Sequence, residues 1–151
     1  MVVATAESLA ALYTEDETAW LEEMAALVRR RDVAGLDLDN LGEYLTDMAK
    51  RDRREVKSRL VVLLMHVLKW EFQPEARSGS WRATILHQRN ELVDCAGGGV
   101  LRNHAESVLS AAYDSAIEPA AAETGLPRSS FPASCPYTIE QLFAIDLSED
   151  L

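Results

Sequence analysis

No proline interrupts the chain between Leu38 and Pro74. Proline removes a backbone donor and clashes with the preceding turn, so its absence leaves this stretch free to run as one helix of up to about 35 residues, on the order of 50 Å if straight. Asp37 or Asp39 supplies an oxygen to cap its start, and a kink is expected near Ala49. Whatever else the chain does, it must be assembled around this rod.

Shorter helical patterns flank it. From Ala19 to Arg31 the apolar residues Trp20, Met24, Leu27 and Val28 recur at three-and-four spacing. Acids at Glu15, Asp16 and Glu17 and bases at Arg29, Arg30 and Arg31 complement the helix dipole at the two ends. Beyond the connection from Gln73 to Gly79, Ser78 or Ser80 caps a helix through Trp81, Ile85, Gln88 and Leu92 that ends near Gly97. Another covers Val100 to Glu123, bent at Pro119 and closed by Gly125. Leu126 to Pro136 reads as an irregular strap pinned by Leu126 and Phe131, and Thr138 with Gln141 forms a capping box for a last short helix. No strand pattern and no internal repeat is visible. The expectation is an all-α fold: a single-domain helical bundle over residues 1–151, with about four to five helices and one long central helix.

A hydrophobic content of 48% with 26% charged residues fits a globular chain, and 151 residues suffice to bury a core without staples. The start, MVVATAESLAALY, has neither the basic region nor the apolar core of a secretory signal, and the apolar run Leu60 to Met65 is far too short to span a membrane. A cytoplasmic location is therefore expected. Cys95 and Cys135 lie far apart without metal-ligand spacing and are expected to be buried thiols. The net charge of −10 disfavours nucleic acid. Between Lys50 and Arg89, ten bases face four acids, a balance of +6 that leaves −16 for the rest. Such a split suits a partner with a basic surface, or a second copy of the chain.

On the long helix, Leu41, Leu45, Met48, Asp52, Arg59, Leu63, His66 and Trp70 fall in one arc. Its polar members Asp52, Arg59 and His66, with Gln73 slightly aside, recur every seven residues. Seven residues rise about 10.5 Å, so each needs a partner off its own helix. Three readings stay open: interior polar groups fixing register, the wall of a groove toward Trp70, or a homodimer seam. In the groove reading Trp70 and Trp81 form apolar walls, Arg59 and Arg77 hold an anionic group, and His66 acts as acid or base.

Other constellations are weaker. His66, His87 and His104 lie on three helices but not on converging faces, so no metal and no cofactor is expected. Ser78 and Ser80 sit where caps belong and outside any nucleophile elbow, and Gly97-Gly98-Gly99 lacks the strand that precedes a dinucleotide loop. No catalytic residues are assigned. Lys50, Arg51, Arg53, Arg54, Lys57 and Arg59, interleaved with Asp52 and Glu55, are expected to be a solvated face laced by i,i+4 pairs.

His66, Lys69, Trp70, Gln73, Pro74, Arg77, Ser78, Ser80, Trp81, Thr84, Ile85, Gln88 and Arg89, with Cys135-Pro136-Tyr137-Thr138, resemble the motif pattern of the bacterial family catalogued as domain of unknown function 29. The resemblance runs from about Tyr13 to Leu142 and implies a compact all-helical bundle, with no activity attached. Tyr44 stands where that pattern has an acid, Ala49 where it has glycine, and Pro119 where it has no proline. The leading expectation is a non-enzymatic module that binds another protein through its acidic ends. The alternative is a small-molecule or enzymatic pocket at the corner between the second and third of these helices, built from Arg59, His66, Trp70, Gln73, Arg77 and Trp81.

Overall fold

A computed structural model describes residues 6–148. Six α-helices and no strand occur among them: α1 (Ala6–Glu15), α2 (Glu17–Arg29), α3 (Leu38–Phe72), α4 (Gly79–Ala96), α5 (Gly99–Thr124) and α6 (Ile139–Phe143). The all-α class and the long central helix are as expected. Helix α3 is 35 residues long and remains helical through Ala49. The chain forms two compact units, Met1–Lys50 and Arg51–Leu151.

The first unit holds α1, α2 and the start of α3. Helix α1 is an addition to the expected elements, and its Leu9, Leu12 and Tyr13 show helical spacing. Asp16 separates it from α2 by accepting a bond from the Ala19 amide, 3.1 Å, which caps α2. Leu9, Trp20, Met24 and Leu27 form the core, against which Leu41 and Tyr44 of α3 pack. The indole N–H of the fully buried Trp20 donates to the Asp37 carboxylate at 3.1 Å, and that carboxylate also receives the Asn40 side-chain amide at 2.7 Å. Burial alone would raise the Asp37 pKa, but the bonds from Asn40 and Trp20 win and hold it below the ordinary value. In the turn before α3, a Cβ at Gly35 would meet the Asp32 carboxylate and Leu27 at 2.9 Å, so this position accepts no side chain without displacement.

The second unit packs the later turns of α3 against α4, α5 and α6. Val56, Leu60, Leu63, Leu64 and Leu68 are buried with Ile85, Leu92, Tyr113, Ile117 and Leu142. The strap is held as its proline content suggests: Phe131 is buried against Phe72, with ring centroids 5.4 Å apart, and the Tyr113 hydroxyl donates to the Pro132 carbonyl at 2.6 Å. Gly125 ends α5 at φ 72°, and Thr138 with Gln141 makes the expected capping box. Helix α5 continues through Pro119. The carbonyl deprived of its bond belongs to Ser115, an exposed residue.

Two expectations need correction. Cys95 is exposed and Cys135 half-buried, because α4 turns Leu92 and Ala96 to the core and leaves Cys95 outside. The basic run on α3 is not laced by helical ion pairs: Glu55–Arg59, 3.0 Å, is the one i,i+4 pair there among the described residues. Asp52 has Met48 and Val56 as its i±4 neighbours and no base to meet.

Candidate functional site

The corner between α3 and α4 gathers most of the polar residues singled out in the sequence. After a single turn at Pro74–Ala76, the Ser78 hydroxyl caps α4 by accepting the Trp81 amide at 3.2 Å. Arg77 reaches back, donating from Nε to the Trp70 carbonyl at 2.8 Å with its guanidinium 4.7 Å from the Trp70 ring centroid. Lys69, the one buried charged residue among those described, lies 2.5 Å from the Glu123 carboxylate on α5 and 4.6 Å from the Trp81 ring centroid on α4. One ammonium thus fastens three helices. Beside it, the Gln73 amide donates to the Thr124 carbonyl at 3.0 Å, satisfying an end carbonyl of α5.

Arg59, ten residues before Lys69 on the same helix, joins α3 to α4 through Gln88 at 3.2 Å and Glu91 at 3.6 Å. Arg89 donates to the Ile145 carbonyl and so anchors the C-terminal segment on α4. These donors are spent inside the fold.

His66 is half-buried. Its Nδ1–H donates to the Val62 carbonyl at 2.9 Å, which leaves Nε2 as the acceptor. Burial lowers its pKa, the Lys69 charge lowers it further, and the Val62 carbonyl and Glu123 oppose the shift in part.

About 100° per residue separates two sides of this helix end. His66, Lys69 and Gln73 face the end of α5, while Val67 and Glu71 line clefts on the other side. The first cleft, about 320 Å³, is lined by Val67, Trp70, Arg77, Ile85, Asp146 and Leu147 among others. A second, about 490 Å³, shares Val67, Glu71 and Ile145 with it and adds Tyr137. There the Tyr137 hydroxyl donates to Glu71 at 2.6 Å, and burial together with that carboxylate drives the phenol pKa up. The Trp70 indole N–H is buried without a partner among the described residues.

Of the residues expected to form one site, Trp70 and Arg77 line the first cleft. Trp81, His66 and Gln73 sit with Lys69 and α5, Arg59 is held by Glu55, Gln88 and Glu91, and Asp52 is exposed on α3. His87 is exposed on α4, and no group of three or more His, Cys, Asp or Glu among the described residues could hold a metal ion.

A surface of different chemistry lies on the first unit. Tyr13 and Tyr44 flank Trp20, with ring centroids 4.8 Å and 5.7 Å away, and both tyrosines stay half-exposed. Partial burial, then the charges of Glu43, Asp47 and Glu17, raise the Tyr13 pKa, so three carboxylates bear on one aromatic cluster. Glu43 and Asp47 stand four residues apart in the sequence, on one face of α3. The available signal was Tyr44 between them.

The family model described as "Domain of unknown function DUF29" matches residues 12–147. No curated protein and no solved structure matches the chain.

Proposed function

From the premise that this chain belongs to the DUF29 family, we propose that it is a non-enzymatic module that binds a protein with a basic surface. The observation that carries this reading is the acidic, aromatic surface of the first unit. Residues 1–50 contain eleven acids against four bases, a net charge of −7. Glu23–Arg30, at 3.8 Å, is the one ion pair of that unit among the described residues. Partly exposed aromatics beside carboxylates that have no ion pair among the described residues offer cation–π contact and charge attraction to lysine or arginine at once. Glu17, Glu43 and Asp47 steer a cationic partner, and Tyr13 and Tyr44 supply the contact area.

Native mass spectrometry of the protein isolated gently from its own host tests the proposal. The expected result is a second polypeptide of basic composition, lost when Glu43→Lys and Asp47→Lys are introduced together and kept in His66→Ala. A chain bare of other polypeptides at micromolar concentration overturns it.

A second reading rests on Trp70. A cleft of about 320 Å³ suits a small ligand, and Arg77 offers it a cation beside an apolar wall. Titration of the tryptophan emission with small anionic metabolites, compared between parent and Arg77→Ala, tests it: saturation abolished in the variant supports the pocket.

A further inference from the structure

Leu38, Gly42, Leu45 and Ala49 are spaced four, three and four residues apart, which places them within about 60° of one another on α3. All four are exposed, Leu38 at 59% and Leu45 at 58%. The face is distinct from that of Leu41 and Tyr44, which the core of the first unit occupies. Leucines on a surface cost little singly, but a heptad-spaced pair on a bare helix face is the pattern of a helix seam.

Gly42 adds an independent sign. A glycine in a helix interior is unfavourable relative to alanine, because it gives up more backbone freedom and packs no side chain. A Cβ at Gly42 would meet nothing within 4 Å among the described residues, so none of them requires the glycine. A close neighbour from outside would.

We infer that this face pairs with the same face of a second copy, the two α3 helices running antiparallel about a two-fold axis between Gly42 and Leu45. In that register Leu38 of one copy lies over Ala49 of the other, and Gly42 lies under Leu45. Every large side chain meets a small one, as helix packing at short interaxial distance demands. The charges agree. Asp39 and Lys50 lie on one flank of the seam, and the antiparallel register brings Asp39 of one copy within about 3 Å, along the axis, of Lys50 of the other. A parallel pairing would set Leu38 against Leu38 and Leu45 against Leu45, and would leave Asp39 of one copy and Lys50 of the other on opposite flanks of the seam. The contact is isologous, as a two-fold dimer requires. Three turns of helix cover less than the roughly 1,200 Å² of a stable specific interface, so the dimer dissociates in the micromolar range. It leaves Tyr13, Glu43 and Asp47 on another side of the helix and stands independently of the proposed binding of a basic partner.

Sedimentation equilibrium from low to several hundred micromolar reads the association. The parent chain is expected to pass from monomer to dimer. Leu38→Lys with Leu45→Lys removes the dimer and leaves the melting temperature within a few degrees, since both side chains are already exposed. Gly42→Leu weakens association at least tenfold without unfolding the chain. Orientation is read by disulfide trapping in a Cys95→Ser, Cys135→Ser background. Oxidation cross-links a copy carrying Leu38→Cys to a copy carrying Ala49→Cys, and does not cross-link Leu38→Cys copies to each other. A chain that stays monomeric throughout, a dimer indifferent to the two lysines, or trapping between like copies at position 38 overturns the inference.

Discussion

The Lys69–Glu123 pair predicts unequal costs for breaking the same contact from its two ends. The Lys69 side chain is 6% exposed and the Glu123 side chain 49%. Removing the lysine as Lys69→Met keeps most of its volume and leaves a carboxylate that water already reaches, so the loss is about 1 kcal/mol once solvent screening is allowed for. Removing the carboxylate as Glu123→Ala strands an ammonium with only the Trp81 face beside it. An uncompensated buried charge costs about 3–5 kcal/mol, and here the half-exposed edge lowers that to about 2–4 kcal/mol. Neutralising an ordinary lysine at pH 7 costs about 4.6 kcal/mol, which sets a ceiling on the penalty because proton loss is always an escape. That ceiling falls to about 2 kcal/mol at pH 9. Urea unfolding of the parent, both single variants and the double variant at pH 7 and pH 9 measures all of this. The expected result is a Glu123→Ala cost clearly above that of Lys69→Met, shrinking at the higher pH, with Lys69→Met rescuing part of it in the double variant. Equal costs from both ends, or a Glu123→Ala penalty that stays well above about 2 kcal/mol at pH 9, would refute the burial argument.

Gly35→Ala should destabilise the first unit by no more than about 1 kcal/mol, because its Cβ meets the ends of the Asp32 and Leu27 side chains at 2.9 Å and both ends can shift; a chemical melt followed by Trp20 emission reads it. Ser78→Ala removes the cap of α4 and should cost about 1 kcal/mol in the second unit. The pKa of His66 is lower in the folded state than its ordinary 6.5, so the unfolded chain binds the extra proton first and stability falls as pH drops through and below that value. His66→Gln should flatten this slope, visible as a smaller loss of melting temperature between pH 7 and pH 5 than in the parent. A parent and variant that lose stability in parallel would place the acid sensitivity elsewhere.

Local chemistry was enough to read the helices from sequence. A proline-free run allowed one long rod, Asp16 and Ser78 marked helix starts, Gly125 marked a helix end, and Thr138 with Gln141 announced α6. Each of these effects acts within about four residues along the chain, which is the distance over which caps and hydrophobic periodicity operate. Helix α1 is equally local in its leucine spacing.

Which side chains share a site was decided by packing at long range. Arg59, His66 and Gln73 repeat on one stripe, yet a helix carries such residues about 10.5 Å apart, and three separate neighbours took them: Gln88 and Glu91, the helix's own Val62 carbonyl, and Thr124. Lys69 looked like any surface lysine until α4 and α5 closed over it. The sequence by itself determined the helical class and the caps, because those energies are local. Tertiary structure alone decided that the conspicuous polar motif serves as a fastening and that the exposed leucines and acids stand on the first unit, because burial depends on which faces meet across many tens of residues.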